Sequence, residues 1–183
     1  MDQANWQIGD SKTVAWIATS RRNDRTIATA IPPIYDAYAT VVTPESDADK
    51  QVSDEALLDS LRACTPRLAW WLGYLETGVA DVIFPSAPRT QLYWGWPYVL
   101  VKAGPDQARS WRTNADATPW HSAIPELIFP LDRSWLVSAL WDDDWKCVGG
   151  PASLIETILG DDRLDARAVA PGQDVTPPGF ENR

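Results

Sequence analysis

The chain has 183 residues and a formal net charge of −9, with 45% hydrophobic and 22% charged residues. This length and balance exclude disorder of the whole chain, and they predict a single globular domain over 1–170 with a core of its own. The acidity argues against nucleic-acid and anionic-membrane partners, because a negative field repels both and attracts cationic partners.

The first half of the chain predicts strands separated by polar breaks. The run 13–19 is rich in β-branched and aromatic residues, as strands are. A helix is predicted over 53–64, where Ser53 is a capping residue and the apolar side chains share one face. The full set of predictions here is an irregular arm over 1–11, strands over 13–19, 35–43 and 70–75, an acidic loop over 45–52 and this helix.

The second half predicts two hairpins and two helices. Gly95 indicates the turn of the first hairpin, because glycine adopts the backbone angles that tight turns require. Gly149 and Gly150 predict a turn into a helix from 151 that Gly160 ends. The predicted elements are strands over 91–94 and 98–102, a helix over 105–113, strands over 134–140 and 145–148 around a turn at 142–144, and an edge strand over 166–170.

Taken together, these elements predict an α+β fold with one mainly antiparallel sheet and about three helices packed on it. Residues 171–183 contain three prolines and two glycines and predict a mobile C-terminal tail. The first six residues do not resemble a signal peptide, and no segment approaches the ~18 apolar residues that span a bilayer. We therefore expect a cytoplasmic protein in which Cys64 and Cys147 stay reduced.

Sites for catalysis are scarce in this sequence. A Ser–His–Asp or Cys–His device would have to use His121, the one histidine, which lies in a loop beside Trp120 and is more typical of a packing residue. One histidine and two distant cysteines argue against a zinc site. Gly149 and Gly150 precede a helix without the lysine of a phosphate loop. The sequence therefore predicts no catalytic residue and no cofactor.

A carboxylate-dependent or metal-dependent hydrolase or transferase is the alternative. Asp142, Asp143 and Asp144 offer oxygen ligands of the kind that Mg²⁺ and Ca²⁺ prefer, although the spacing of a calcium-binding loop is missing. The tryptophan-rich stretches 70–74 and 94–98 could line a pocket for a sugar or an aromatic ligand. Successive carboxylates in a turn point in different directions, so the sequence favours a solvated acidic hairpin tip over a metal site.

The C-terminal third carries a resemblance to known proteins. Residues 132–138 read DRSWLVS and residues 142–150 read DDDWKCVGG, followed by the helix predicted from 151. This pattern resembles segments of small actinobacterial proteins, some of which accompany secreted toxins. In size, acidity and predicted fold the domain also resembles bacterial toxin-immunity proteins, including SUKH-type domains and the immunity factor of the mycobacterial NAD-degrading toxin. The resemblance covers about residues 132–160 and marks no catalytic residue.

What the resemblance implies is a stoichiometric inhibitor that occludes the active site of a toxin. Such a protein needs an acidic field to speed its encounter with a basic toxin domain, and aromatic anchors to hold it. Acidic residues concentrate at 45–55, 142–144 and 161–165. The predicted contact residues are the hairpin tip, where two indoles flank three carboxylates, and a lysine of the N-terminal arm: Trp141, Asp142, Asp143, Asp144, Trp145 and Lys12.

Overall fold

The structure is a computed structural model that describes residues 6–17, 26–76, 84–112, 124–140, 144–174 and 176. In these ranges nine strands form one sheet in which every pair is antiparallel. The strands are β1 (Gln7–Ile8), β2 (Ala37–Val42), β3 (Trp70–Leu75), β4 (Thr90–Leu92), β5 (Trp96–Ala103), β6 (Leu127–Pro130), β7 (Leu136–Ser138), β8 (Trp145–Gly150) and β9 (Ala166–Val169). Their order across the sheet is β1-β5-β3-β6-β7-β8-β2-β9, with β4 also beside β5.

Helices cover both faces of this sheet. They are α1 (Ser11–Val14), followed by a 3₁₀ turn over Ala15–Ile17, α2 (Ile27–Ala30), α3 (Asp47–Cys64), α4 (Pro105–Ser110) and α5 (Ala152–Leu159). The predicted α+β class with a mainly antiparallel sheet is thus confirmed. Among the helices of the described ranges, α3, α4 and α5 are longer than a single turn.

Two apolar clusters, one on each face, explain the continuous hydrophobic strands. From β3, Leu72 and Tyr74 join the cluster that packs against α3 and α5, whereas Trp71 and Leu75 join the cluster under α1 and α2. Every residue of β3 is therefore buried. A strand covered on both faces needs apolar side chains at every position, and for this reason the run 70–75 lacks alternation.

The strand predicted over 13–19 is wrong over 13–17, where a capped helical turn and a 3₁₀ turn stand instead, and residues 18 and 19 lie outside the described residues. The Asp10 carboxylate accepts the backbone N–H groups of Lys12 at 3.0 Å and Thr13 at 3.2 Å, and the Thr13 hydroxyl accepts the Asp10 N–H. This reciprocal capping satisfies the free amides of a helix start and outweighs the β propensity of the run. The predicted arm 1–11 likewise contains β1, which pairs with the far end of β5.

Helix α3 begins six residues before the predicted 53–64, so the acidic loop predicted over 45–52 is wrong. Ser46 is its cap, and the Ser46 hydroxyl accepts the Asp49 N–H at 3.1 Å. None of the residues 47–52 is buried, whereas Ser53 and Asp54 are. Because residues 47–52 bury no face of the helix, their sequence shows no amphipathic pattern. The amphipathic pattern begins only at residue 53, and it therefore predicts a helix start that is six residues too late.

Glycine positions account for two further corrections. The turn between β4 and β5 is formed by residues 93–95, in which Tyr93 and Gly95 have positive φ, and Trp96 already belongs to β5. Gly149 and Gly150 lie inside β8 instead of forming a turn. A Cβ on Gly149 would stand 2.6 Å from a ring carbon of Tyr35, so the glycine permits close packing within the strand.

The C-terminal elements follow the sequence closely. The predicted hairpin is confirmed as β7 and β8, in which Leu136 opposes Gly149. Strand β9 pairs with β2 at the edge of the sheet, as predicted. Part of the predicted tail contacts the domain, since the backbone N–H groups of Ile27 and Ala28 donate to the carbonyls of Gln173 and Pro171. Thr176, which is also in the tail, is buried.

A threonine hydroxyl joins the largest side chains of the core. Thr65 follows α3, and its Oγ1 accepts the indole N–H groups of Trp70 and Trp135, each at 3.2 Å, while it donates to the Leu61 carbonyl. The two indoles meet edge to face with centroids 5.0 Å apart, and both are fully buried. One hydroxyl therefore satisfies two buried donors that tie the end of α3 to β3 and to the start of β7.

We predict that Thr65→Val lowers the free energy of unfolding by about 2–4 kcal/mol, because two buried indole N–H groups lose their acceptor. Urea denaturation followed by circular dichroism measures the loss. The control is Thr157→Val on the exposed side of α5, which we expect to change stability by no more than about 0.5 kcal/mol. Equal effects of the two substitutions would contradict this role of Thr65.

Candidate protein-binding surface

Strand pairing brings the three acidic segments of the sequence together. At the end of β2, the Val42 N–H donates to the Asp165 carbonyl at 2.9 Å and the Thr43 N–H donates to the Asp144 carbonyl at 2.7 Å. The chain then passes through Glu45 into the first turn of α3. Five exposed acidic residues therefore lie at one end of the sheet, which we call the acidic end: Glu45, Asp47, Asp49, Asp144 and Asp165.

A buried ion pair fixes α3 over this end. Lys146 Nζ of β8 lies 3.2 Å from Asp54 Oδ1 of α3, and the two side chains are 3% and 5% exposed. The same ammonium donates to the Thr43 hydroxyl at 3.3 Å. Because an unpaired charge is costly in the interior, this pair strongly disfavours other positions of α3 on the sheet. It thereby holds Asp47 and Asp49 near Asp144.

An exposed indole stands at the same end of the sheet. Among the tryptophans that the structure describes, Trp94 is the most exposed at 50%, and its ring lies 4.9 Å from that of Trp96. The preceding Tyr93 hydroxyl donates to the Ala30 carbonyl at 2.9 Å and contacts the Ser138 hydroxyl at 2.6 Å. Burial raises the pKa of Tyr93 above its ordinary value, so this hydroxyl stays protonated and donates.

The anchoring of Tyr93 places this aromatic turn close to β8. Ser138, which Tyr93 contacts, opposes Cys147 in the sheet, and Cys147 lies two residues beyond Trp145 on the same face. The turn therefore folds back from β5 across the sheet toward β8, which Asp144 precedes. A large apolar side chain on a fixed turn beside a charged surface is the arrangement typical of an interface anchor.

The predicted contact residues do not all lie on this surface. Trp141, Asp142 and Asp143 lie outside the described residues. Asp144 is exposed at the acidic end, whereas Trp145 is 7% exposed and packs in the core under α2. Trp94 is therefore the exposed indole that the structure provides here. The sequence contains a signal for it, namely three aromatic residues around the predicted turn at Gly95, but residue type alone does not show which of these rings is exposed.

Lys12 is not brought together with this surface. It lies in α1, beside Trp71 and Phe129. These two residues oppose each other in β3 and β6, and the register continues through Leu136 and Gly149 to Tyr38, near the start of β2. Asp144 adjoins the last residues of β2, so Lys12 and Asp144 lie at opposite ends of the strands.

A second buried pair stabilises the acidic end from the neighbouring strands. Arg112 Nη2 donates to Glu126 Oε2 at 3.0 Å, and the same carboxylate oxygen accepts the Leu75 N–H at 2.9 Å. The guanidinium lies 5.1 Å from the centre of the Tyr74 ring. Arg112 is 5% exposed, so this group joins α4 to β3 and β6 instead of offering a charge to solvent.

A cavity of about 330 Å³ opens between α3 and α4. Its polar side chains already bond to neighbours, since Gln51 donates to Glu55 at 3.3 Å and Arg109 donates to Asp59 at 3.0 Å. Asp54 also lines it and holds Lys146. The cavity therefore does not present the convergent polar groups that fix a cofactor.

No three His, Cys, Asp or Glu side chains stand close enough to hold a metal ion within the part of the chain that the structure describes. His121, Asp142 and Asp143 lie outside that part, so the metal-dependent alternative remains a prediction from the sequence. The carboxylates of the acidic end therefore contribute to an electrostatic field, which falls off within about 8 Å at physiological ionic strength.

We predict that Lys146→Met lowers the free energy of unfolding by about 3–5 kcal/mol, because it leaves the Asp54 carboxylate buried without its cation. The double substitution Lys146→Met with Asp54→Leu should recover most of the loss, and chemical denaturation measures both. In the control Arg62→Met, which removes the exposed pair with Asp106, we expect a change below about 1 kcal/mol. A loss in Lys146→Met no greater than in the control would contradict the role of this pair.

No known family or solved structure was found to match this chain. A scan against protein-family models, a search of curated proteins and a search of solved structures each found no match to this chain. Among the described residues, no helix has both the length and the apolar character required to cross a membrane.

Proposed function

We propose that this chain is a non-catalytic, cytoplasmic binding protein of the immunity type, which neutralises a basic toxin domain by occluding its active site. The observation that carries the proposal is the convergence of three acidic segments at one end of the sheet, where Trp94 stands exposed on an anchored turn. The sequence-based interpretation points the same way, since residues 132–160 are interpreted as similar to segments of small actinobacterial proteins, some of which accompany secreted toxins.

The two features perform different tasks in such a complex. Clustered carboxylates attract a basic partner and raise the association rate, an effect that salt weakens. A large indole that becomes buried at the centre of an interface slows dissociation. Neither task requires a chemical step. An inhibitor of this kind therefore needs no catalytic residue of its own.

The direct experiment is co-expression with the product of the neighbouring gene. The proposal expects the two proteins to co-elute on gel filtration with equal stoichiometry, and the partner's activity to fall as this chain is added. A neighbour without toxin or secretion character, combined with no complex on gel filtration, would contradict it.

We predict that reversing the charge at the acidic end slows association with that partner. The variant Asp47→Lys, Asp144→Lys and Asp165→Lys should lower the association rate at least ~10-fold at low salt, and the difference should shrink as salt is added. Surface plasmon resonance at several ionic strengths measures both effects.

The matched control carries the same charge change at the opposite end of the strands, in Asp36→Lys, Asp106→Lys and Asp132→Lys. All three of these carboxylates are exposed. Thermal denaturation of both triple variants separates loss of binding from loss of folding. An equal drop in association rate for the two variants would show that total charge, and not the acidic end, steers the partner.

We predict that Trp94→Ala raises the dissociation rate about 10- to 100-fold and leaves the association rate nearly unchanged, since a buried interface tryptophan contributes ~2 kcal/mol or more. The same binding measurement tests it. Ile34→Ala is the control, because Ile34 is 64% exposed and lies near the start of β2, away from the acidic end. A dissociation rate within twofold of the unsubstituted chain would remove Trp94 from the interface.

A further inference from the structure

A second surface, at the opposite end of the strands, presents two exposed cations. There a groove of about 300 Å³ is lined by Lys12, Thr13, Trp71, Phe129, Leu131 and Arg133. Lys12 and Arg133 are both exposed, and Leu131 is 41% exposed. Two cations beside apolar and aromatic side chains are unusual on a chain with a net charge of −9.

Neither cation is held in a close ion pair within the described ranges, although Asp10 and Asp132 are near them in sequence. The Asp10 carboxylate accepts the backbone N–H groups of Lys12 and Thr13, and the Thr13 amide lowers the pKa of Asp10. Asp132 Oδ1 accepts the Ser134 N–H at 3.0 Å and its hydroxyl at 2.8 Å. Among the described residues, neither Lys12 nor Arg133 forms an ion pair within 4 Å.

Arg133 is held in place by its backbone and by Trp16. Its φ of 59° lies in the left-handed region, which non-glycine residues enter at an energetic cost. The guanidinium lies 5.3 Å from the centre of the Trp16 ring, and the Trp16 indole donates to the Thr13 carbonyl at 3.0 Å. The arginine, the indole and the capped turn that carries Lys12 therefore form one ordered wall of the groove.

We propose that this groove binds a small organic oxyanion, a carboxylate or a phosphate monoester, attached to a flat apolar body. Lys12 and Arg133 hold the oxyanion, and the body lies against Leu131 and the part of Trp71 that lines the groove. The volume is at the lower end of ligand-binding pockets, which corresponds to about one aromatic ring with its substituent. A small anion suits the site better than an acidic macromolecule, because the net charge of the chain repels an extended negative surface.

The test uses nuclear magnetic resonance of the ¹⁵N-labelled full chain, with the indole N–H signals of Trp16 and Trp71 as reporters. Phenyl phosphate and benzoate are the charged probes, benzamide is the uncharged probe, and inorganic phosphate lacks the apolar body. We expect one or both charged aromatic probes to shift these two signals in a saturable way, at least ~10-fold more tightly than benzamide or inorganic phosphate. Which of the two binds more tightly identifies the oxyanion.

The variant Lys12→Met with Arg133→Asn removes both cations, and asparagine tolerates the left-handed backbone. We expect it to weaken binding of the charged probes at least tenfold, whereas the control Arg62→Asn, an exposed cation of α3, changes it less than twofold. Equal binding of benzamide or of inorganic phosphate, or equal binding by variant and control, overturns the proposal. So does binding of an aspartate–phenylalanine peptide when both small probes fail. These measurements do not involve the protein partner, so either proposal can fail without the other.

Discussion

The buried contact between Lys146 and Asp54 is the constraint on which the arrangement of this molecule depends. It joins β8 to α3, and both side chains are almost inaccessible to water. A buried pair of this kind adds little net stability compared with apolar residues, but it penalises every arrangement that separates the two charges. The start of α3 is thereby held beside the ends of β2 and β8, and acidic residues distant in sequence share one surface.

The sheet also explains how a chain so rich in tryptophan remains compact. Both of its faces are covered, and indoles fill the two layers: Trp70 and Trp135 lie under α3, while Trp71 and Trp145 lie on the other side. Each large ring buries much apolar area but brings a polar N–H into the interior. The Thr65 hydroxyl satisfies the N–H groups of Trp70 and Trp135, because it accepts a hydrogen bond from each. Among the tryptophans that the structure describes, Trp94 is the most exposed, and its exposed ring contributes little to this packing.

The two ends of the strands present different charged groups, and each end therefore suits a different kind of ligand. One end carries a cluster of carboxylates and an exposed indole, a combination suited to a basic protein surface. The other end carries two exposed cations, Lys12 and Arg133, that line one groove. Because the strands hold the ends apart, a partner at the acidic end leaves the groove open. The two proposed sites therefore lie apart, and each can be tested without the other.

Local features of the sequence determined the elements whose signals are short-range. The apolar run 70–75, the hairpin around 142–144, the helix ended by Gly160 and the edge strand after it all followed from periodicity and turn residues, and so did the α+β class. Where elements begin depended on hydrogen bonds that composition does not reveal, as with the Asp10 cap and the early start of α3 at Ser46. Only the tertiary structure decided that Trp145 is buried and Trp94 exposed, that Lys12 lies far from Asp144, and that 45–49, 144 and 165 meet. The reason is physical: charge and residue type are local properties of the chain, whereas the surface they form depends on which distant strands exchange hydrogen bonds.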